Sequence, residues 1–244
     1  MATYAATDFH GMYGIWRQIK EYMKEDDTLY YLGDAIDRGP RGWDIFKELI
    51  DDPRVIYIRG NHEDMMYNAY TTHGELSAEW FKHWNKNGGN TTCANMQDVS
   101  YEEKMKYIEK IKNMSTMEVY KNQYDEIFLL THAGCTPHKD YWNLSTINWS
   151  YENMWSRKHF SDPWPQDKNN EHKYVIHGHT PVQLLYRFIS GIDPSDGFPV
   201  KYCNGHKIDL DSGAFSSNIA TLYNLDFNYI EMIFRGDFED EHFN

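Results

Sequence analysis

Five short clusters of acids, histidines and glycines each follow an apolar run, and their order constrains the chain more than any other feature. Asp8-Phe9-His10-Gly11 follows residues 3–7, and Gly33-Asp34-Ala35-Ile36-Asp37-Arg38-Gly39 follows Thr28–Leu32. Arg59-Gly60-Asn61-His62-Glu63 follows Val55–Ile58. Thr131-His132-Ala133-Gly134 and His177-Gly178-His179-Thr180 come later, after Ile127–Leu130 and Tyr174–Ile176. Asp8, Asp34 and Asn61 stand 26 and 27 residues apart, close to one strand-helix unit of roughly 30 residues. Parallel βαβ units put successive strand ends at the same sheet edge, and open α/β folds bind ligands at that carboxyl edge. The spacing therefore predicts that Asp8, Asp34 and Asn61 emerge together.

The apolar periodicity agrees. Helices are predicted at Gly11–Lys24 and Trp43–Ile50 and from Glu63 onward, between the strands named above. Helical patterns at Leu76–Trp84 and Tyr101–Ile111 mark an insertion over 75–115, with Gly88-Gly89 expected to separate them. This insertion either caps the site or merely packs. Further strands are predicted at Lys207–Leu210, Ile219–Leu225 and Tyr229–Phe234, with loops at 159–173 and 190–206. The expected architecture is one domain over residues 1–244, a four-layer α/β/β/α sandwich of two mixed sheets with a helical insertion.

The residue types in the clusters suit metal ions. Intermediate divalent ions accept both carboxylate oxygen and imidazole nitrogen, and one carboxylate can serve two ions. Asp8, His10 and Asp34 are the candidate ligands of one ion. Asp34, Asn61, His132 and His179 are those of a second. Two such ions acidify water and clamp phosphoryl oxygens. An isolated Asp-x-His-Gly or His-Gly-His is weak, whereas five clusters in order at strand ends leave little room for a purely structural origin.

Charge sharpens the expectation. The net charge is −13, which disfavours nucleic acid duplexes and anionic membranes as partners and counts against a nuclease. A phosphorylated substrate must then find local positive charge in metals and arginines. The three cysteines, Cys93, Cys135 and Cys203, form no C-x-x-C and read as free thiols. None lies in a Cys-x5-Arg loop, so a thiol-phosphatase mechanism is not expected. With no apolar leader or run long enough for a span, a cytoplasmic location is expected.

With these motifs in place, the chain resembles the phosphoprotein phosphatase family of calcineurin-like metallophosphoesterases. It is most similar to compact bacterial and phage-type members, which include the bacterial diadenosine polyphosphate hydrolases. The resemblance covers nearly the whole chain and extends to Asp211-Ser212-Gly213-Ala214. It implies that His62 is a general acid, that Asp37 orients it, and that Arg38, Arg59 and Arg157 grip phosphate. It also implies hydrolysis of phosphate monoesters by a two-metal-activated hydroxide, with phosphoserine and phosphothreonine proteins as the leading substrate. Mn is the first expectation for the metal, with Fe or Zn as substitutes. Small phosphorylated substrates are the rival, chiefly dinucleoside polyphosphates cleaved by a bis(5'-nucleosyl)-tetraphosphatase. An aromatic such as Trp84 or Tyr202 stacking on a base would favour that rival. A non-catalytic binding protein is the remaining alternative, opposed by the completeness of the ligand set. Thr7 replaces the family's glycine, a change expected to touch the turn and not the ligands. His177 is one histidine more than the motif needs.

Overall fold

The structure is a computed structural model that describes residues 1–135, 150–164 and 171–236. Its strands are β1 (Thr3–Ala6), β2 (Thr28–Tyr31), β3 (Val55–Tyr57), β4 (Met117–Lys121), β5 (Ile127–Thr131), β6 (Lys173–His177), β7 (Val200–Tyr202), β8 (Lys207–Asp209), β9 (Ile219–Asn224) and β10 (Tyr229–Arg235). They form two five-stranded sheets, ordered β10-β9-β1-β2-β3 and β4-β5-β6-β8-β7. In the first, β1, β2 and β3 are parallel and β9 and β10 antiparallel. In the second, β5, β6 and β8 are parallel, with β4 and β7 antiparallel at the edges.

Side-chain alternation explains why the sheets stack. Successive strand residues face opposite sides. Tyr4 and Ala6 join a core under the helices, while Ala5 between them joins the core between the sheets. Phe128 and Leu130 of β5 point into that same inter-sheet core, where they meet Ile176, Ile208 and Tyr223. Leu129 and Val175 face the other way, against Cys135 and Trp164.

Helices α1 (Tyr13–Tyr22), α2 (Gly42–Asp51) and α3 (Asn61–Thr71) cover the first sheet. Ile15, Trp16 and Ile19 of α1 and Ile45, Phe46 and Leu49 of α2 are fully or almost fully buried there, at the three- and four-residue steps of an amphipathic helix. On the outer side of the second sheet the described residues form short 3₁₀ turns, Lys158–Phe160 and Val182–Arg187, which bury Phe160, Val182 and Leu185 against Tyr202. This is the α/β/β/α sandwich with a thin fourth layer.

The insertion keeps its predicted helices and glycine break and adds one short helix between them. Helix α4 runs over Glu75–Trp84, ahead of the Gly88-Gly89 pair. The turn that follows, Asn85–Gly89, leaves helical geometry at Gly88, with φ 106° and ψ 4°, and a separate helix α5 (Asn90–Asn95) starts directly after it, so the glycine pair interrupts the helical run as expected. A second break comes at Ser100, whose side chain caps α6 (Tyr101–Ile108) by accepting the Glu103 N–H at 3.1 Å. Trp84, Met96, Ile108 and Ile111 are fully buried in the helical core. Strand β4 was missed because its residues are only half-buried on an edge, and β7 because it is three residues long inside a loop-like segment. Of the predicted loop 159–173, residues 165–170 lie outside the described residues.

Phe128 anchors the inter-sheet core. Phe128→Ala is expected to cost about 3–5 kcal/mol, read as a lower urea midpoint with an unchanged m-value. A loss under about 1 kcal/mol would show that the sheets are not held together through this residue.

Candidate metal centre

Every predicted ligand lies just beyond the carboxyl end of a parallel strand. Asp8 and His10 follow β1, Asp34 follows β2, Asn61 follows β3, His132 follows β5 and His179 follows β6. Backbone bonds lash these turns together: Asp8 N–H donates to Gly33 O at 3.0 Å, His10 N–H to Asp34 O at 3.0 Å, and Gly178 N–H to His132 O at 2.8 Å.

The turns are strained. Asp8, His10, Asp34, Asp37, Arg38 and His179 all have positive φ, between 44° and 73°. Such conformations cost a non-glycine residue on the order of 1–3 kcal/mol each and persist where the surroundings over-determine them. Two glycines make the close approach possible. A Cβ on Gly60 would collide with the Asp34 carboxylate, and one on Gly178 with that of Asp8.

Asp34 is the centre of the cluster. Its Oδ1 accepts the His62 N–H at 3.0 Å, one of the free amides of the first turn of α3. Its Oδ2 lies 3.3 Å from His132 Nε2, 3.7 Å from His10 Nε2 and 3.8 Å from His62 Nε2. Two groups of donor atoms share it: His10, Asp34 and His62, and Asp34, His132 and His179. Asp8 Oδ1 is 3.8 Å from His10 Nε2. Asn61 Oδ1 is 2.9 Å from both His132 Nε2 and His179 Nδ1. The structure thus gathers Asp8, His10, Asp34, Asn61, His132 and His179 in one place. It also brings His62 Nε2 within reach of the first donor group.

The donor set fits divalent ions. Two fully enclosed atoms, Asp8 Oδ1 and His179 Nε2, have no protein partner, and a buried polar atom left without one is costly. His10 donates Nδ1–H to Ile36 O at 2.8 Å, and His132 does the same to Leu32 O at 2.7 Å. These second bonds orient an imidazole for ligation through Nε2. Burial, helped by nearby positive charge, holds His10 and His179 well below the usual histidine range, so both rings are neutral and ready to ligate. Burial also pushes Asp8 up to about 6, with the Asp34 charge adding to it. His132 behaves differently: burial favours its neutral form, but Asp34 and Asp8 outweigh that and push it up to about 10. Burial likewise opposes the charge on Asp34, yet His132, His62 and His10 hold it well below the ordinary carboxylate range.

Beside the cluster, His62 donates Nδ1–H to Asp37 Oδ2 at 2.6 Å. Arg38 reaches His10 Nε2 at 2.7 Å and His62 Nε2 at 3.2 Å. Arg157 donates Nε–H to Thr180 at 2.9 Å, next to His179. Arg59 is engaged elsewhere, paired with Asp64 at 2.5 Å with its guanidinium 5.0 Å from the Tyr67 ring centroid.

Several features were not legible in the sequence. Glu63 is fully buried and accepts four bonds, from the backbone N–H groups of Asp34, Ala35 and Gly60 and from the Tyr57 hydroxyl, at 2.8–3.1 Å. It therefore fixes the turn that presents Asp34. The motif contained Glu63 but gave no sign of this role. Thr7 does touch a ligand, contrary to expectation: its hydroxyl donates to Asp8 Oδ2 at 2.6 Å. His177 is buried against the Tyr202 hydroxyl at 2.7 Å. Trp84 and Tyr202, the proposed base-stacking aromatics, are at most 5% exposed and hydrogen-bonded internally. Neither offers a free face to a base, because each ring completes the packing beneath the site.

The sequence matches the calcineurin-like phosphoesterase family model over residues 1–231, and the chain belongs to that family. No curated protein matches it. Among solved structures, a protein provisionally assigned as a diadenosine tetraphosphatase superposes with a TM-score of 0.60 at 14% identity, covering 97% of this chain and 94% of the other. A cold-active protein tyrosine phosphatase gives 0.57 at 13% identity over 93% and 74%. A protein serine/threonine phosphatase from Saccharomyces cerevisiae gives 0.55 at 14% identity over 92% and 72%. At such identities the likeness concerns the fold. No helix among the described residues is long and apolar enough to cross a membrane.

Because His132 is protonated at neutral pH before metal arrives, loading should release about one proton per chain at pH 7. Affinity should rise with pH, and most steeply below about 6, where Asp8 also holds a proton. Calorimetry of Mn²⁺ binding in buffers of different ionisation enthalpy reads this directly. No proton release at pH 7 would contradict the His132–Asp34 pairing.

Proposed function

We propose that this calcineurin-like phosphoesterase is a metal-dependent phosphatase acting on phosphate monoesters, with phosphoserine and phosphothreonine side chains as the leading substrates. The observation that carries the reading is the shared Asp34 carboxylate, with the hydrogen-bonded His62–Asp37 pair and two arginines beside it. Asp8, His10 and Asp34 would hold one divalent ion, and Asp34, Asn61, His132 and His179 a second, with Mn as the expected metal. When bound, such ions supply Lewis-acid polarisation of the phosphoryl group and a more acidic attacking water.

The chain's own residues have distinct tasks in this reading. Asp37 holds His62 Nδ1–H, which leaves Nε2 facing the cluster to carry a proton to the departing alkoxide. Arg38 stands where its guanidinium can reach both that imidazole and a phosphate oxygen, and a planar fork suits phosphate. Arg157 is exposed overall, yet its partly buried bond to Thr180 withdraws it from water, and that desolvation lowers its pKa from the ordinary arginine value. A partly desolvated guanidinium gains by meeting an anion. Arg59 can contribute only by loosening its pair with Asp64. The strained turns keep these groups from relaxing away from one another.

The burial of Trp84 and Tyr202 takes away the two stacking faces that would have supported nucleotide cleavage. One observation keeps dinucleoside polyphosphates as a second reading. Phe188 is 41% exposed, stacks on Phe160 with centroids 5.4 Å apart, and lies 6.0 Å from the Arg157 guanidinium carbon. It could offer an aromatic face beside the phosphate grip.

Mn²⁺-loaded protein assayed on a phosphothreonine peptide, diadenosine tetraphosphate and an aryl phosphate separates these readings. Preference for the peptide supports the proposal, and preference for the dinucleotide moves the assignment to nucleotide hydrolysis. His62→Asn should lower kcat on the preferred substrate by about 10²- to 10⁴-fold with metal retained. Wild-type turnover in that variant would remove His62 from the chemistry.

A further inference from the structure

Asp37 has more partners than an orienting carboxylate needs, and they come from far along the chain. Its Oδ2 accepts the Trp84 Nε1–H at 2.8 Å as well as the His62 Nδ1–H. Its Oδ1 accepts the Thr92 hydroxyl at 2.6 Å, and its own N–H donates back to Thr92 Oγ1 at 2.9 Å. The next residue is held too, since Arg38 N–H donates to Gly88 O at 3.2 Å. Asp37, Trp84 and Thr92 are all fully buried.

Apart from the His62 bond, these contacts come from one stretch of the insertion, the end of α4, the Asn85–Gly89 turn and the start of α5. The break at Gly88 has a geometric reason. Gly88 lies against Arg38, where a Cβ would come 2.9 Å from Arg38 Cγ, and its positive φ lets the helix fold around Asp37 and Arg38. A carboxylate held by His62 alone could rotate and take the imidazole with it. Three donors on two oxygens leave Asp37 a single orientation.

We propose that Trp84 and Thr92 are positioning residues of the phosphatase reaction, which fix Asp37 and through it the direction of His62 Nε2. The insertion is then part of the proton-donating apparatus, beyond any role in packing. This rests on the reading of His62 as the proton donor to the leaving group. A second consequence is that Asp37 shares its charge among three donors, so His62 is not its sole beneficiary.

The experiment uses leaving-group chemistry. Protonation of the departing oxygen matters for a basic alkoxide and far less for a nitrophenolate. Thr92→Val keeps the shape and removes the hydroxyl. Trp84→Phe removes the indole N–H, and Thr92→Ser restores a hydroxyl. Each is measured as the Mn²⁺-loaded protein, at matched metal content, on a phosphothreonine peptide and on nitrophenyl phosphate, with His62→Asn alongside. Thr92→Val and Trp84→Phe should lower kcat on the peptide by about 10-fold or more. The loss on nitrophenyl phosphate should be several-fold smaller, and Thr92→Ser should recover most of the peptide activity. In the metal-free protein, the downfield NMR signal of the His62 Nδ1 proton should broaden in Thr92→Val and return in Thr92→Ser. Equal losses on the two esters, while His62→Asn still discriminates between them, would overturn the inference and leave the acid role standing. If His62→Asn shows no discrimination, the acid role fails and the inference fails with it.

Discussion

A single buried carboxylate organises this molecule. Asp34 cannot be moved without cost because each of its neighbours is fixed by something else. Its Oδ1 closes the open N-terminus of α3, its backbone N–H is held by Glu63, and its own positive φ is sustained by the bonds that tie the β1 and β2 turns together. The imidazoles of His132, His10 and His62 converge on the other oxygen. Three parallel strands of one sheet and two of the other deliver these groups to a common edge. The sandwich can be understood as the frame that brings those edges within a few ångströms. The inter-sheet core around Phe128 and Tyr223 sets that separation.

Much of this was legible in the sequence because it is written locally. A motif directly after a strand needs only the strand's direction to be placed, so Asp8, Asp34 and Asn61 could be assigned to one edge from spacing. His132 and His179 could be placed at the ends of their own strands and joined to the site by the chemistry of the donor set. The strand-helix alternation of the first seventy residues followed from period-two and period-3.6 patterns that do not conflict. What stayed hidden depends on distance. Thr92 and Trp84 meet Asp37 across 55 and 47 residues, and no local pattern announces such a pairing. Strands β4 and β7 were hidden for a different reason: edge strands need not bury both faces, so their residues lack the apolar signature.

The glycines illustrate how a local reading can be right about a residue and silent about its partner. Gly88-Gly89 does mark a special backbone position, as expected. It interrupts the helical run, and the same break lets the chain turn around Arg38. Trp84 likewise touches the site, but through its N–H and not its ring face. In both cases the residue's capability was visible while its partner was not.

The central claim is that Asp34 is shared by two metal ions at the sheet edge. Anomalous diffraction at the manganese edge from crystals grown with Mn²⁺ tests it most directly. The account predicts two peaks about 3.5–4 Å apart with the Asp34 carboxylate between them, one flanked by Asp8 and His10 and the other by Asn61, His132 and His179. A single peak, or ions bound away from Asp34, would contradict it.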